Sequence, residues 1–376
     1  MASLLDAARD LRRTISENAA KTGSAPLALE SVRAMQDAGL FGVMIPEVLG
    51  GTELSLSDSI DVWAEISRAD GSAGWCLMAS CATAAYFGAW CPDELVERMF
   101  ANGVPIAAGQ FAPNGTARAT DDGYILNGRY QFGSGTNHAN WIGAGVITEV
   151  PEGENPSYLF TIFPAQQAQL AGNWDVLGLQ STASFDYVVD EVVVPQSATF
   201  DFADIRRYRG GPIFDLGVMM LTAAGHAAFA LGVVRRALDE LRVLAKHHQR
   251  MGQGVLGESE RIQHELGRLE SRAAAASAWV HETFTAAERN ITDRGELDPL
   301  DSVRCRQATV HATQDGAEVV QRAYLLAGTT ALRDGALQRC FRDIHAGTQH
   351  VFANASHTTE LGRELIASAP ADPLDC

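Results

Sequence analysis

At Pro105 the hydrophobic period of this sequence changes, and near Asp215 it changes back. Before Pro105 the apolar residues recur at helical spacing. Leu4, Leu5, Ala8, Leu11 and Ile15 mark one face, and Leu29, Val32, Met35 and Leu40 mark a second helix over about 28–40. The pattern is helical again from Ser57 to Trp90, broken at Asp70-Gly71-Ser72, where Ser72 is placed to cap the next segment. Between 105 and 200 the apolar runs are short and alternating: IAAGQF, YILNGRYQF, WIGAGVIT, YLFTIF and YVVDEVVVP. Asn114-Gly115, Asp122-Gly123 and Asn127-Gly128 read as the turns between strands. From Asp215 onward four long helical segments follow, over about 215–249, 258–290, 300–327 and 337–366. Such a series predicts an antiparallel bundle. The expected class is α+β: an N-terminal helical domain (1–104), a central β domain (105–214) and a C-terminal four-helix bundle (215–376). The apolar content from Val218 to Val234 exceeds what one bundle is expected to hide, which predicts a homo-oligomer, a tetramer.

Charge narrows the partners. A formal net charge of -17 leaves no basic stripe for nucleic acid or for an anionic membrane surface. The N-terminal segment, interrupted by Asp6, Asp10, Arg12 and Arg13, is not a secretory signal, and no stretch reads as a membrane span. The six cysteines form no CxxC pair and no zinc spacing, so they predict reduced, buried thiols in a cytoplasmic protein and no metal. No GxGxxG, GxxxxGK[ST] or GxSxG is present.

Three segments are dense in chemistry. FGSGTNHANW (132–141) sets Ser134 between two glycines, where hydroxyl and backbone can approach a flat ligand, and adds His138 and Trp141. NWDVLGLQSTASFDYVVDEVVVP (173–195) clusters Ser181, Thr182 and Ser184 before an apolar strand. LQRCFRDIHAGTQHV (337–351) crowds Arg339, Arg342, Asp343, His345 and His350, with Arg339 and Asp343 spaced for an i,i+4 ion pair. His350 stands out because histidine titrates near neutrality. Trp75, Phe87 and Trp90 precede the β region and are placed either to wall a cavity or to pack a core. Taken singly, the hydroxyls are ordinary turn formers and the charges an ordinary helix surface.

In this order, on this architecture, the segments resemble the acyl-CoA dehydrogenase superfamily. Its dehydrogenases place a catalytic glutamate just after the Arg-Asp motif or on the first bundle helix. Here those places hold Gln349-His350-Val351-Phe352 and Gly217-Val218-Met219, with Asp215 the nearest acid. Abstraction of an α-proton requires a positioned base. The chain is more similar to the oxygenase components of two-component flavin monooxygenases, of the 4-hydroxyphenylacetate hydroxylase, dibenzothiophene monooxygenase and seco-steroid hydroxylase types. The similarity lies in F-x-S-G-x-x-H-A-x-W (Phe132, Ser134, Gly135, His138, Ala139, Trp141) and in L-Q-R-x-F-R-D with a histidine seven residues on.

This resemblance implies a reduced flavin, FMN or FAD, delivered by a separate reductase, with O2 as co-substrate. The expected reaction is hydroxylation of an aromatic or similarly electron-rich small molecule through a C4a-hydroperoxyflavin. Ser134 is then expected near flavin N5 and His350, as an imidazolium on the face of the last helix shared with Asp343, near C4a. The expected cofactor-binding set is Ser134, His138, Trp141, Thr182, Ser184 and Arg250; the expected substrate wall is Trp75, Phe87 and Trp90. The Arg250–Gln263 segment resembles one that reaches flavin from a neighbouring subunit, without its usual Phe and Pro. The alternatives are an acyl-CoA dehydrogenase or related flavin oxidase, and a flavin-free scaffold of the same fold.

Overall fold

Capping decides where the first helices start. Ser3 and Ser55 accept hydrogen bonds from the N–H groups of Asp6 and Asp58, opening α1 (Leu4–Thr22) and α3 (Leu56–Ala69), with α2 (Leu29–Asp37) between them. Asp70 ends α3 and opens α4 (Gly71–Trp90); its carboxylate accepts from Ala73 N–H at 2.9 Å. Ser72 is therefore not the cap. It already lies inside the first turn, whereas Asp70 has the extended backbone that a cap needs. α5 (Asp93–Met99) closes the helical segment. The computed structural model describes residues 3–250, 254–370 and 372.

The strands are β1 (Ala107–Thr120), β2 (Gly123–Gly133), β3 (Trp141–Thr148), β4 (Tyr158–Pro164), β5 (Gln169–Leu170), β6 (Phe185–Pro195) and β7 (Thr199–Asp201). They form one sheet in the order β5-β6-β2-β1-β3-β4-β7, with β1 and β3 parallel and the other pairs antiparallel. Asp122-Gly123 makes the β1–β2 hairpin as expected. Asn127-Gly128 does not make a turn. It lies inside β2 at a register shift against β6, where Asn127 accepts from Glu191 N–H at 2.9 Å. Asn114-Gly115 similarly marks an irregularity inside β1. A bulge uses the same residue types as a turn, so local sequence does not separate the two.

The last helices are α6 (Gly217–His247), α7 (Glu260–Arg294), α8 (Pro299–Ala327), α9 (Ala336–Gly347) and α10 (Ser356–Ala367), with the short strands β8 (Gln249–Arg250) and β9 (Gly254–Val255) between α6 and α7. The fourth bundle segment is thus two helices. Thr348 Oγ1 donates to the carbonyl of His345 at 2.7 Å, His350 has extended backbone, and Asn354 accepts from Ser356 N–H at 2.8 Å to restart the helix. These caps stop and restart the helix without disturbing its apolar period. His350 therefore does not share a helix face with Asp343.

α6 packs against α3, α4, α8 and α9. By length and composition the Pro212–His247 segment could cross a membrane, contrary to the expectation from sequence, but 83% of its most apolar window is buried within the chain. Apart from Met219, which is 37% exposed, and the half-buried Leu231, Val218 to Val234 are hidden by the fold itself, so the oligomer argument from that stretch does not stand.

Candidate active site

Two strand ends create the centre of the site. Gly133, the last residue of β2, pairs with Phe185, the first of β6. Ser134 and Ser184 lie one step beyond that antiparallel pair, so the ladder sets them opposite one another, and their hydroxyls are 2.8 Å apart. Ser184 is 2.7 Å from Thr182 Oγ1, which donates to the carbonyl of Leu179 at 2.8 Å. From α4, Trp75 Nε1 donates to Ser134 Oγ at 3.0 Å. Ser134, Thr182, Ser184 and Trp75 are thus brought together as one hydrogen-bonded group.

The Trp75 ring also meets the C-terminal helices. Its centroid is 5.4 Å from that of His350, 4.7 Å from His226 and 4.9 Å from Phe229, all edge to face. His226, on α6, stacks on His350 at 4.0 Å, and Phe352 stacks on His226 at 5.1 Å. Packing of these rings around His350 excludes water and pushes its pKa down to about 4; burial, then His350, hold His226 well below the usual histidine range. His350 is therefore neutral near pH 7, which corrects the expected imidazolium. Its Nδ1 accepts from Phe352 N–H at 3.4 Å, so the proton sits on Nε2 and the ring offers one donor. His226 escaped the sequence reading. The signal was available: it is the one titratable side chain between Asp215 and Arg235.

Other expected residues lie elsewhere. Phe87 and Trp90 pack against Phe160, Phe200 and Tyr86, in the core between α4 and the sheet. Twelve to fifteen residues along α4 from Trp75 correspond to roughly 18–22 Å, too far to wall the same cavity. His138 turns toward the backbone of Leu27, burial lowers its pKa, and its Nε2 is buried without a partner. Trp141 opens β3 and bonds through its backbone to Ile106. Neither bonds to Ser134. Arg250 lies in β8, but its side chain is outside the described residues. Arg339 pairs with Asp334 at 3.9 Å rather than with Asp343, which is buried and accepts from Leu179 N–H at 2.6 Å. His345 turns aside, with Nδ1 2.7 Å from the Phe341 carbonyl.

The rim suits a planar heteroaromatic ligand. Phe132, held at φ +64, is 60% exposed beside Ser134 and meets Trp174 edge to face at 6.1 Å. An exposed aromatic edge and the half-buried Ser134 hydroxyl beside it fit the stacking and hydrogen-bonding needs of an isoalloxazine. Burial alone accounts for the lowered His350 pKa, with no contribution from a carboxylate. Asp215 is tied to Arg207 at 2.9 Å. A cavity of about 320 Å³ lies between α3, α6, α7 and α8, but neither Ser134 nor His350 lines it. Among the described residues no cluster of metal-ligating side chains occurs.

The acyl-CoA dehydrogenase N-terminal domain matches residues 3–102 and the acyl-CoA dehydrogenase C-terminal domain matches 224–355, together well over half of the chain. An indole-3-acetate monooxygenase from Pseudomonas putida is 29% identical over 331 residues, covering 85% of this chain and 82% of that protein. The p-hydroxyphenylacetate 3-hydroxylase oxygenase component of Acinetobacter baumannii is 24% identical, covering 92% of this chain and 84% of that protein. The crystal structure of the HsaA monooxygenase from M. tuberculosis has the same fold, with a TM-score of 0.88 over 99% of both chains at 21% identity.

Proposed function

The chain belongs to the acyl-CoA dehydrogenase family, and from that premise we propose that it is the oxygenase component of a two-component flavin-dependent monooxygenase. The observation that carries this is the meeting of Ser134 and His350 at Trp75, the first on its indole N–H and the second edge to face against its ring, at a place where no carboxylate among the described residues stands ready to take a substrate proton. Reduced flavin, when bound, supplies the electrons that activate O2. The chain supplies the setting. Ser134 lies toward the ligand from the sheet, and the Nε2–H of His350 offers a donor toward negative charge building on oxygen. Trp75, Phe229 and Phe352 keep that region dry. The relatives named for indole-3-acetate and p-hydroxyphenylacetate support an aromatic or similarly electron-rich small molecule as substrate. The flavin, FMN or FAD, arrives from a separate reductase, and the active species is a homotetramer. The five cysteines among the described residues are buried, with Cys81 pushed by burial to about 12, which fits a reducing cytoplasmic setting.

Stopped-flow mixing of protein, photoreduced FMN or FAD, and O2 tests this reading. A transient absorbance band distinct from both reduced and oxidised flavin is expected, followed by hydroxylation of an aromatic substrate. Immediate return to oxidised flavin, or NADH consumption by the pure protein with no reductase added, overturns it. So does reduction of bound flavin by saturated acyl-CoA esters.

A further inference from the structure

The hydroxyls behind Ser134 have a fixed direction, and it follows from counting protons. Thr182 Oγ1 carries one proton and spends it on the Leu179 carbonyl, which can only accept. At 2.7 Å from Ser184, Thr182 must therefore accept, so the Ser184 proton points to Thr182. At 2.8 Å from Ser134, Ser184 must in turn accept, so the Ser134 proton points to Ser184. Trp75 Nε1 can only donate, and it occupies one lone pair of Ser134. Every proton runs away from the site toward Leu179. Ser134 is left with one open lone pair and no free proton.

The far end of this chain is anchored. Leu179 stands at φ +55, a left-handed conformation that a leucine enters at a cost, and Ala183 stands at φ +45. Asp343 holds the Leu179 N–H at 2.6 Å, and the Leu179 carbonyl also accepts from Trp174 Nε1 at 3.0 Å and from Thr182 N–H at 3.2 Å. The side chain of Arg342 donates to Gln180 Oε1 at 2.5 Å. Thr182 and Ser184 are each 2% exposed, so water does not readily rearrange the chain.

We infer that Thr182 and Ser184, anchored through Leu179 by Asp343, are positioning residues that make Ser134 an obligate hydrogen-bond acceptor, so that the site selects a ligand presenting a ring N–H over one presenting a bare ring nitrogen. This rests on the reading that Ser134 faces the flavin. There the selection favours the reduced cofactor, whose N5 bears hydrogen, over the oxidised one, whose N5 only accepts. A protein fed by a reductase is served by a site that takes up reduced flavin and lets oxidised flavin go.

The test compares dissociation constants for oxidised and for anaerobically photoreduced FMN and FAD. Wild type is expected to prefer the reduced form. Ser184→Ala frees the Ser134 proton to turn toward the ligand, and Thr182→Val lets the Ser184 proton turn toward Ser134. Each is expected to cut the reduced-over-oxidised preference roughly tenfold, about what one misdirected hydrogen bond is worth. Thr182→Ser, which keeps the hydroxyl, is expected to retain the preference. Thermal melts verify folding, and the two disruptive variants act independently should either fail. A wild-type preference that survives intact in a folded Ser184→Ala or Thr182→Val overturns the inference and leaves the functional reading standing. A wild-type protein that binds neither form of either flavin overturns both.

Discussion

His350 shows what a residue's surroundings add to its identity. The sequence points to it through a spacing, yet its charge depends on Trp75, His226 and Phe352, which come from three separate stretches of chain. No local pattern reports that enclosure, and so the residue was legible while its protonation state was not. In flavin-free protein the His350 imidazole is expected to stay neutral from pH 8 to pH 5, read from its NMR shifts; a midpoint above 6 contradicts the packing. Removal of the ring by His350→Ala is expected to slow the reaction of the reduced complex with O2 on the order of 10²-fold, or to raise hydrogen peroxide per flavin consumed. An unchanged product yield with unchanged oxygen kinetics removes His350 from the site. Asp343 behaves oppositely. Burial, then the nearby Asp70, push its pKa up to about 7, against the Leu179 N–H, Arg342 and Arg339, which favour the charged form. Cys76 and Cys340 are the neutral neighbours, and Arg236 faces Asp70. The folded value lies above the unfolded value of about 3.9, so the stability Asp343 contributes is present below pH ~4 and lost as pH rises toward 7. Asp343→Asn, which keeps the acceptor for Leu179, should therefore gain stability relative to wild type across that window. Denaturant midpoints with a pH-independent difference would refute it.

At the scale of elements, the two changes of period at Pro105 and Asp215 gave the architecture, because a period is a repeated signal that survives local noise. Single-residue devices were not legible. Asp70 rather than Ser72 caps α4, Asn127-Gly128 is a bulge rather than a turn, and α9 and α10 are separate helices. Each depends on a partner distant in sequence or on one backbone angle. Docking of α9 on the Leu177–Ser184 loop is the clearest such case. Gly178 lies so close to α9 that a Cβ there would stand 2.0 Å from the carbonyl oxygen of Arg342, which is backbone and cannot step aside. Gly178→Ala is expected to destabilise the fold by about 1–3 kcal/mol and to weaken flavin binding together with it. Gly267 on α7 has nothing within 4 Å of its added Cβ, and Gly267→Ala is expected to be neutral or stabilising by up to about 1 kcal/mol. Equal urea midpoints for the two variants would show that the α9 contact is not tight.

For the whole molecule, the question the chain alone leaves is how many copies work together. The apolar run of α6 is covered internally, since Val218, Leu221, Phe229 and Val234 are all buried within one chain. What remains outside is smaller and placed elsewhere. Leu325 near the end of α8 and Leu332 in the turn after it are 58% and 65% exposed, and Val243 near the end of α6 is 60% exposed. Isolated surface leucines are ordinary, but two on either side of one helix end make a candidate contact. A closed homo-oligomer buries the same patch on every copy, so one substitution acts as many times as there are subunits. Light scattering at micromolar concentration is therefore expected to give four times the chain mass of 40.2 kDa. The double variant Leu325→Glu with Leu332→Glu is expected to lower that mass while circular dichroism stays unchanged, because neither side chain belongs to the core. A wild-type mass of one chain removes the tetramer. A tetramer that ignores the double variant keeps the assembly but moves its interface away from the end of α8.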